Sequence, residues 1–382
     1  MSAFAITRRA VVIGAAVAAL GGCAIVPKGP REAPPATRPT PAPTSTLPAD
    51  QQRHRIALLV PMTGSNAAVG QSIANATTMA LLDTNASNLR ITTYDTAAGL
   101  REAARKAVSD GNRLILGPLT ADAIAPVVAE AKPARIPVIS FSNDTSAASA
   151  DAFLMGQVPA QSISRTVRYV RGKGAQSFAV LAPEGDYGQR AQAALKAAVA
   201  RFGGKVAAVE SYDRGNTSVI SAAKRLKARG GYDSVLLADN SRLAAQAAGQ
   251  LKAPGVRFLG TELWSGEAGI ARTPALAGAV FSAMSDSRYK RFSDSYAARF
   301  GGPPYRIATL GYDAVLLTLR IARDWQPGRT FPTERLRDSG GFLGLDGAFR
   351  FGRDNVVQRA MEVREVRGGA VVVVDPAPTK FE

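Results

Sequence analysis

Few residues of this 382-residue chain have the type and spacing for covalent or metal chemistry. There is one cysteine, Cys23, and one histidine, His54. No disulfide closes within the chain, and a Cys/His metal site lacks a second member of either kind. Ser221-Ala222-Ala223-Lys224 has the Ser-x-x-Lys spacing of penicillin-recognising enzymes, but it falls inside a helical pattern and no Lys-Thr-Gly completes it. Gly172-Lys173-Gly174 reads as a helix-ending turn, because no Gly-Lys-Ser/Thr follows to make a phosphate loop. His54 stands ahead of the first strand without a partner, and Glu184 and Asp186 read as a solvated turn. No catalytic set, metal site or cofactor site is expected, so the residues point to a binding or interaction protein and not to an enzyme.

The chemistry open to Cys23 is acylation. A positive start, Thr7-Arg8-Arg9, leads into an uninterrupted apolar run from Ala10 to Leu20. That run is too short for a membrane helix, which needs about 20 residues, and has the form of a signal peptide. It closes on Leu20-Gly21-Gly22-Cys23, which resembles the lipobox of bacterial lipoproteins. The resemblance implies cleavage after residue 22 and a diacylated cysteine thiol as the membrane anchor. Thr7-Arg8-Arg9 also resembles a twin-arginine signal, and both export routes stay open. Residue 24 is Ala and not Asp, which by resemblance to the enterobacterial sorting rule implies the outer membrane. Eight prolines then fall between Ala24 and Asp50 among Ala, Thr and Ser. Such a segment cannot bury a core and should be extended. At roughly 3.1 Å per residue, the 27 residues 24–50 within a tether over 23–52 would reach on the order of 80 Å.

The rest of the chain has a globular composition, with 46% apolar residues overall and a net charge of +17. Removing the five basic and two acidic residues before position 53 leaves 42 basic against 28 acidic, still +14. A basic surface favours anionic partners such as phospholipid heads, wall polymers or acidic protein faces; an Arg- and Ala-rich composition alone would give the same excess. The basic residues are scattered, without the aromatic-basic stripe of a nucleic-acid binder.

From residue 53 onward, short apolar runs alternate with helical patterns. Strands are expected at Arg55–Val60 (closed by Pro61), Ile91–Tyr94, Leu114–Leu116 and Ile136–Ser140. Helices fall between them at Gly70–Leu82, Leu100–Val108 and Ala121–Ala131. The pattern restarts at Phe178–Ala182, closed by Pro183, with a helix at Tyr187–Phe202. Further strands follow at Val206–Glu210, Val235–Ala238, Arg257–Leu259 and Ala279–Phe281, with helices at about 217–229 and 242–252. A long helix runs from Arg306 to about Trp325, and short strands close the chain near Ala348–Phe351, Ala360–Val366 and Ala370–Val374. Alternation of this kind implies βαβ crossovers and parallel sheets, an α/β fold in two similar halves.

Several segments carry a family resemblance. Arg55-Ile-Ala-Leu-Leu-Val-Pro61 with Gly64 and Gly70, Leu116-Gly-Pro-Leu119, Ile136-Pro-Val-Ile-Ser140, Gly185-Asp-Tyr-Gly188 and Tyr305–Ala314 together resemble type I periplasmic binding proteins of the leucine-binding kind, over about residues 53–375. Gly185–Arg190, Ala308–Asp313 and Tyr94-Asp95-Thr96 are similar to the penicillin-binding protein activator lipoproteins. The helical-repeat domain found in some of those activators is absent, and the Pro-rich tether stands in its place. The resemblance implies two lobes joined by three crossovers, with a ligand-type cleft between them. Lobe one would hold about 53–156 and 285–330, and lobe two about 157–284 and 331–382.

The resemblance also implies a site. In leucine-type receptors, loops after corresponding strands hold the ligand's carboxylate. Here those loops carry Thr120 and Ser142-Asn143-Asp144-Thr145, which read equally as helix caps and turn formers. Tyr187 falls where a tyrosine of lobe two packs on the ligand, Asn240 replaces a second aromatic residue, and Glu262 matches the acid that pairs with the ligand's ammonium group. A buried Glu262 would need an amine or a lysine; otherwise it must be solvated. The expected function is that of an outer-membrane lipoprotein activating a bifunctional peptidoglycan synthase. The alternative is a receptor for an amino acid or similar small amphiphile, serving an ABC transporter or sensor.

Overall fold

The computed structural model describes residues 52–215, 217–378 and 381. Cys23 and the expected tether lie outside them. The first part runs β1 (His54–Val60), α1 (Ala67–Asp83), β2 (Leu89–Asp95), α2 (Leu100–Ser109), β3 (Leu114–Leu116), α3 (Ile124–Ala131), β4 (Val138–Ser140) and β5 (Ala152–Leu154). The second runs α4 (Pro159–Gly172), β6 (Ser177–Pro183), α5 (Asp186–Phe202), β7 (Lys205–Tyr212), α6 (Ser218–Arg229), β8 (Ser234–Leu237), α7 (Ser241–Leu251), β9 (Arg257–Leu259), α8 (Ala268–Ala271) and β10 (Val280–Ala283). Then come α9 (Tyr289–Phe300), α10 (Thr309–Ala322), β11 (Phe342–Gly344), β12 (Gly347–Phe351), β13 (Val357–Arg359), β14 (Glu362–Arg367) and β15 (Ala370–Asp375).

The two halves repeat one topology. The first sheet has the order β2-β1-β3-β4-β5, all parallel. The second contains β7-β6-β8-β9-β10, the same order and also parallel, extended by antiparallel β14 and β15. The leading strands show why. In β1, Ile56, Leu58 and Val60 enter one core cluster while Ala57 and Leu59 enter another on the opposite face. In β6, Ala179 and Leu181 face one cluster and Phe178, Val180 and Ala182 the other. Alternate side chains point to opposite faces, so a strand covered on both sides reads as a continuous apolar run. Each fully buried Leu, Ile or Phe of this kind contributes about 1.5–3 kcal/mol.

Each leading strand ends in a proline overlaid by a glycine. A Cβ on Gly70 would lie 1.8 Å from the Pro61 carbonyl oxygen, and one on Gly188 would lie 1.7 Å from that of Pro183. The glycines let α1 and α5 start hard against the strand ends, where the cleft loops begin.

The expected lobe boundary at 331 is corrected. Phe342, Phe349, Phe351, Val356 and Val357, from the small sheet β11-β12-β13, share a core cluster with Ile56 and Leu310 of lobe one. Only β14 and β15 join lobe two, by pairing β14 with β10. The chain therefore crosses between lobes after β5, after β10 and after β13. His54 also differs from its reading as a residue without a partner: it is buried and its ring stacks on Trp325 at 4.1 Å between centroids.

Candidate ligand cleft

In parallel sheets of this order, ligands sit beyond the carboxyl ends of the strands, where the strand order reverses. Here those points lie between β1 and β3 and between β6 and β8. On the lobe-two side, a turn at Gly185 (φ 88°) starts α5, whose second residue is Tyr187. The Tyr187 hydroxyl lies 2.9 Å from Thr261 Oγ1 and donates to Glu262 Oε1 at 3.1 Å. Thr261 and Glu262 follow β9. Glu262 is only 3% exposed, and burial pushes its carboxyl up to about 7. Its other oxygen, Oε2, is buried and makes no hydrogen bond. Burial, reinforced by the neighbouring Glu262, raises the Tyr187 hydroxyl well above its usual range.

Arg190 lies three residues further along α5, on the same helix face as Tyr187. It crosses to lobe one, where Nη1 donates to Asp144 Oδ2 at 3.1 Å and Nη2 to Asn143 Oδ1 at 3.5 Å. Its Nε is buried and makes no hydrogen bond. Bonds from Ser146 and the charge of Arg190 hold the Asp144 carboxyl below its usual range, against the opposing effect of burial.

Of the residues singled out from the sequence, the structure brings Tyr187 and Glu262 into contact, and Asn143 meets Arg190, whose charge acts on Glu262. Ser142 acts as a turn former, its hydroxyl accepting from the Asp144 backbone N–H at 3.1 Å. Asp144 caps a three-residue 3-10 helix over Thr145–Ala147 by accepting from Ser146 N. Thr145 and Thr120 are exposed, and α3 starts at Ile124, too late for Thr120 to cap it. Asn240 caps α7, its Oδ1 accepting from Leu243 N at 3.1 Å. Beside it, Asp239 accepts from Tyr212 at 2.6 Å and from Arg214 at 2.8 and 3.0 Å. The Arg214 guanidinium lies over the Tyr187 ring, 5.7 Å from its centroid. Sequence reading missed Arg190, Arg214 and Asp239; the i, i+3 spacing of Tyr187 and Arg190 was the available signal for the first. Ser221 and Lys224 are exposed on α6.

A second charged group lies at the crossovers. Arg306 Nη1 donates to Asp346 Oδ1 at 2.7 Å, and the Thr309 hydroxyl to Asp346 Oδ2 at 2.8 Å. Asp313 accepts from the Leu345 backbone N–H at 2.6 Å and lies 3.8 Å from Arg359 Nη1. Arg359 in turn donates to the Met155 carbonyl at 2.9 Å, at the first crossover. Asp286, at the second, is paired with Arg364 of lobe two and lies 3.8 Å from Arg306. Burial and the adjacent Asp346 push Asp313 up to about 7. Burial also works against the charge of Asp346, but Arg306 and Arg359 hold it below its usual range. Thr309 and Asp313, within the Ala308–Asp313 segment, thus belong to this charged group at the crossovers.

The two repeated parallel sheets, the three crossovers and the cleft between them define a type I periplasmic binding protein architecture. Residues 54–370 match the periplasmic binding protein family, and the chain belongs to it. Among solved structures, a branched-chain amino acid ABC transporter protein from Rhodospirillum rubrum is similar with a TM-score of 0.74 and 22% identity, covering 84% of this chain and 100% of its own. The substrate-binding protein of a branched-chain amino acid transporter from Streptococcus pneumoniae, solved with isoleucine, is similar with a TM-score of 0.62 and 20% identity, covering 85% and 100%. At these identities the likeness shows the fold. An uncharacterised protein of Rickettsia prowazekii is 26% identical over 179 residues, 46% of this chain and 48% of that protein, so the match spans about half the length of the curated relative. Among the described residues, no helix is long and apolar enough to cross a membrane, and no His/Cys/Asp/Glu cluster could hold a metal ion.

Proposed function

We propose that this protein acts through interaction: a lipoprotein anchored at Cys23 in the outer membrane that activates a bifunctional peptidoglycan synthase. The observation that carries the reading is the Arg190–Asp144 ion pair. A receptor for free amino acids needs hydroxyls and N–H groups where the ligand's carboxylate lands. In this chain Asp144 puts a negative charge at that loop, and its counter-ion is the chain's own Arg190. The Gly185–Arg190 segment, similar to the activator lipoproteins, supplies both Tyr187 and Arg190. A tether of about 80 Å would let an outer-membrane protein reach a synthase anchored in the inner membrane. On this reading the chain is not an enzyme. The test uses the fragment 53–382 as bait in envelope extracts, followed by glycan polymerisation assays with whichever synthase is retained. Stimulated polymerisation is expected. Retention of no synthase, or retention without stimulation, defeats the reading.

One observation favours the second reading, a solute receptor for an amino acid or similar amphiphile. Glu262 is a buried carboxylate with an unpartnered oxygen beside a tyrosine, the arrangement that would take a ligand's ammonium group. Truncating one partner of such a charge-assisted pair costs about 2–5 kcal/mol. Calorimetric titration of the twenty amino acids decides the matter. Micromolar binding of one of them, weakened about thirtyfold or more by Glu262→Ala, would replace the activator with the receptor.

A further inference from the structure

Among the described residues, β15 is an edge of the seven-stranded sheet, paired with β14 on one side only. Its sequence, Ala370-Val-Val-Val-Val-Asp375, contains no proline and no charge before the last residue. A register shift between Val363 and Arg364 breaks the pairing at Val374; Ala370–Val373 before it pair with β14 in unbroken register and carry neither the lysine nor the proline that commonly guard such an edge. The turn before it is a two-residue loop, Gly368-Gly369, with φ of 58° and 76°, closing on the pair Arg367 and Ala370. In such a hairpin the closing pair is hydrogen-bonded and the pattern then alternates. Ala370 and Val372 therefore direct their backbone groups at β14, while Val371 and Val373 direct theirs outward. Val373 is 52% exposed.

A concave basic track begins where this edge ends. A cavity of about 580 Å³ lies between α4 and the segment after β15, lined by Arg165, Arg168, Tyr169, Lys173, Asp375 and Pro376 among others. A second, of about 460 Å³, shares Arg165 and Arg168 and adds Arg201. α4 carries Arg165, Arg168 and Arg171 with no acid, and Lys173 follows it. Asp375 already shows what the track accepts, since its carboxylate lies 2.9 Å from Arg165 Nη2.

We infer that the β15 edge and the α4 track form a docking site for an extended acidic segment of a partner protein. The segment adds a strand to β15 through the outward groups of Val371 and Val373, and its carboxylates lie along Arg165, Arg168 and Lys173. Backbone pairing gives the affinity and the alternate side chains the selectivity. A bilayer offers no backbone groups and does not enter a cavity. A second copy of this basic chain would set like charges together. The site goes beyond the activator reading and does not depend on the cleft.

The full chain in detergent micelles is titrated with labelled peptides of about ten residues. One alternates Glu with Val, Ile and Thr; one has Lys in place of Glu; one is the acidic peptide with alternate residues changed to Pro. Phosphatidylglycerol vesicles form the last arm. The acidic peptide should bind at least about tenfold more tightly than either control peptide. Val373→Pro, which removes an outward donor, and Lys173→Glu should each weaken it about tenfold. If Val373→Pro melts early, Lys173→Glu and the proline peptide still decide, since the first changes an exposed side chain and the second leaves the protein untouched. The inference is overturned by absence of binding at low salt, by binding that survives both variants, by preference for vesicles, or by self-association that Val373→Pro abolishes.

Discussion

Arg190 of lobe two donates to Asp144 of lobe one at 3.1 Å, so the two halves of the cleft are tied by the chain's own charges. The pair is partly exposed, with side-chain exposures of 29% and 23%, so its coupling should be modest, about 1 kcal/mol. Arg190→Glu should place two acids face to face and shift the lobes towards an open arrangement. Arg190→Glu with Asp144→Arg should restore the closed one. Small-angle scattering and a double-mutant cycle in denaturant read the two effects, and an unchanged radius in the single variant would remove the latch.

Glu262 gives stability a defined pH dependence. Its folded carboxyl titrates at about 7, above the usual carboxylate value, so folding takes up a proton in this range. The stabilisation from the protonated form is full below the unfolded value near 4.5 and is lost as pH rises through about 7. Each pKa unit is worth about 1.4 kcal/mol, which makes the whole effect on the order of 3 kcal/mol. Glu262→Gln should be more stable than the parent at pH 8 and should lose this part of the slope between pH 5 and 8. Asp313, pushed in the same direction, leaves a slope of the same sign in the variant. Parallel pH profiles for parent and variant would count against a buried, proton-binding Glu262.

The glycines over the two strand-ending prolines should tolerate no side chain. Gly188→Ala puts a methyl group 1.7 Å from a backbone oxygen, so the helix or the strand must move. A loss of about 3 kcal/mol or more is expected. Gly249→Ala, inside α7 with open space around it, should instead stabilise by about 0.5–1 kcal/mol. Thermal midpoints of the two variants should move in opposite directions.

Cys23→Ser should abolish lipid attachment and leave an uncleaved precursor, as seen by radiolabelled palmitate and by mobility on gels. Normal maturation and membrane retention of this variant would remove the anchor.

The leading strands were legible because burial on both faces writes itself as an apolar run, as in Ile56–Val60 and Phe178–Ala182. β11 and β13 were not, because Phe342-Leu-Gly344 and Val357-Gln-Arg359 lack the apolar run that marks the equally short β3, Leu114–Leu116, and β5 (Ala152–Leu154) was not singled out either. Of α4 only the end was legible, at the Gly172-Lys173-Gly174 turn; Ile163, Val167 and Val170 mark its buried face, but its arginines masked the period. The fate of residues 331–361 was also hidden, since Phe342, Phe349 and Phe351 could serve either core and only the fold assigns them to lobe one. In the cleft, residue type led to Tyr187 and Glu262. It did not lead to Arg190, because a guanidinium earns its place there through Asp144, a partner on the other lobe 46 residues away.

The three crossovers also govern how the chain can fold as it is made. Lobe one begins at β1 but takes α10 and β11 to β13 from residues beyond 308, after all of β6 to β10 has been made. Lobe two closes its sheet only when β14 pairs with β10, some 80 residues later in the chain. Neither half has all its parts until the last few dozen residues appear. Such non-local pairing slows folding, and a chain that folds late stays threadable through a narrow translocation channel until almost its full length has passed.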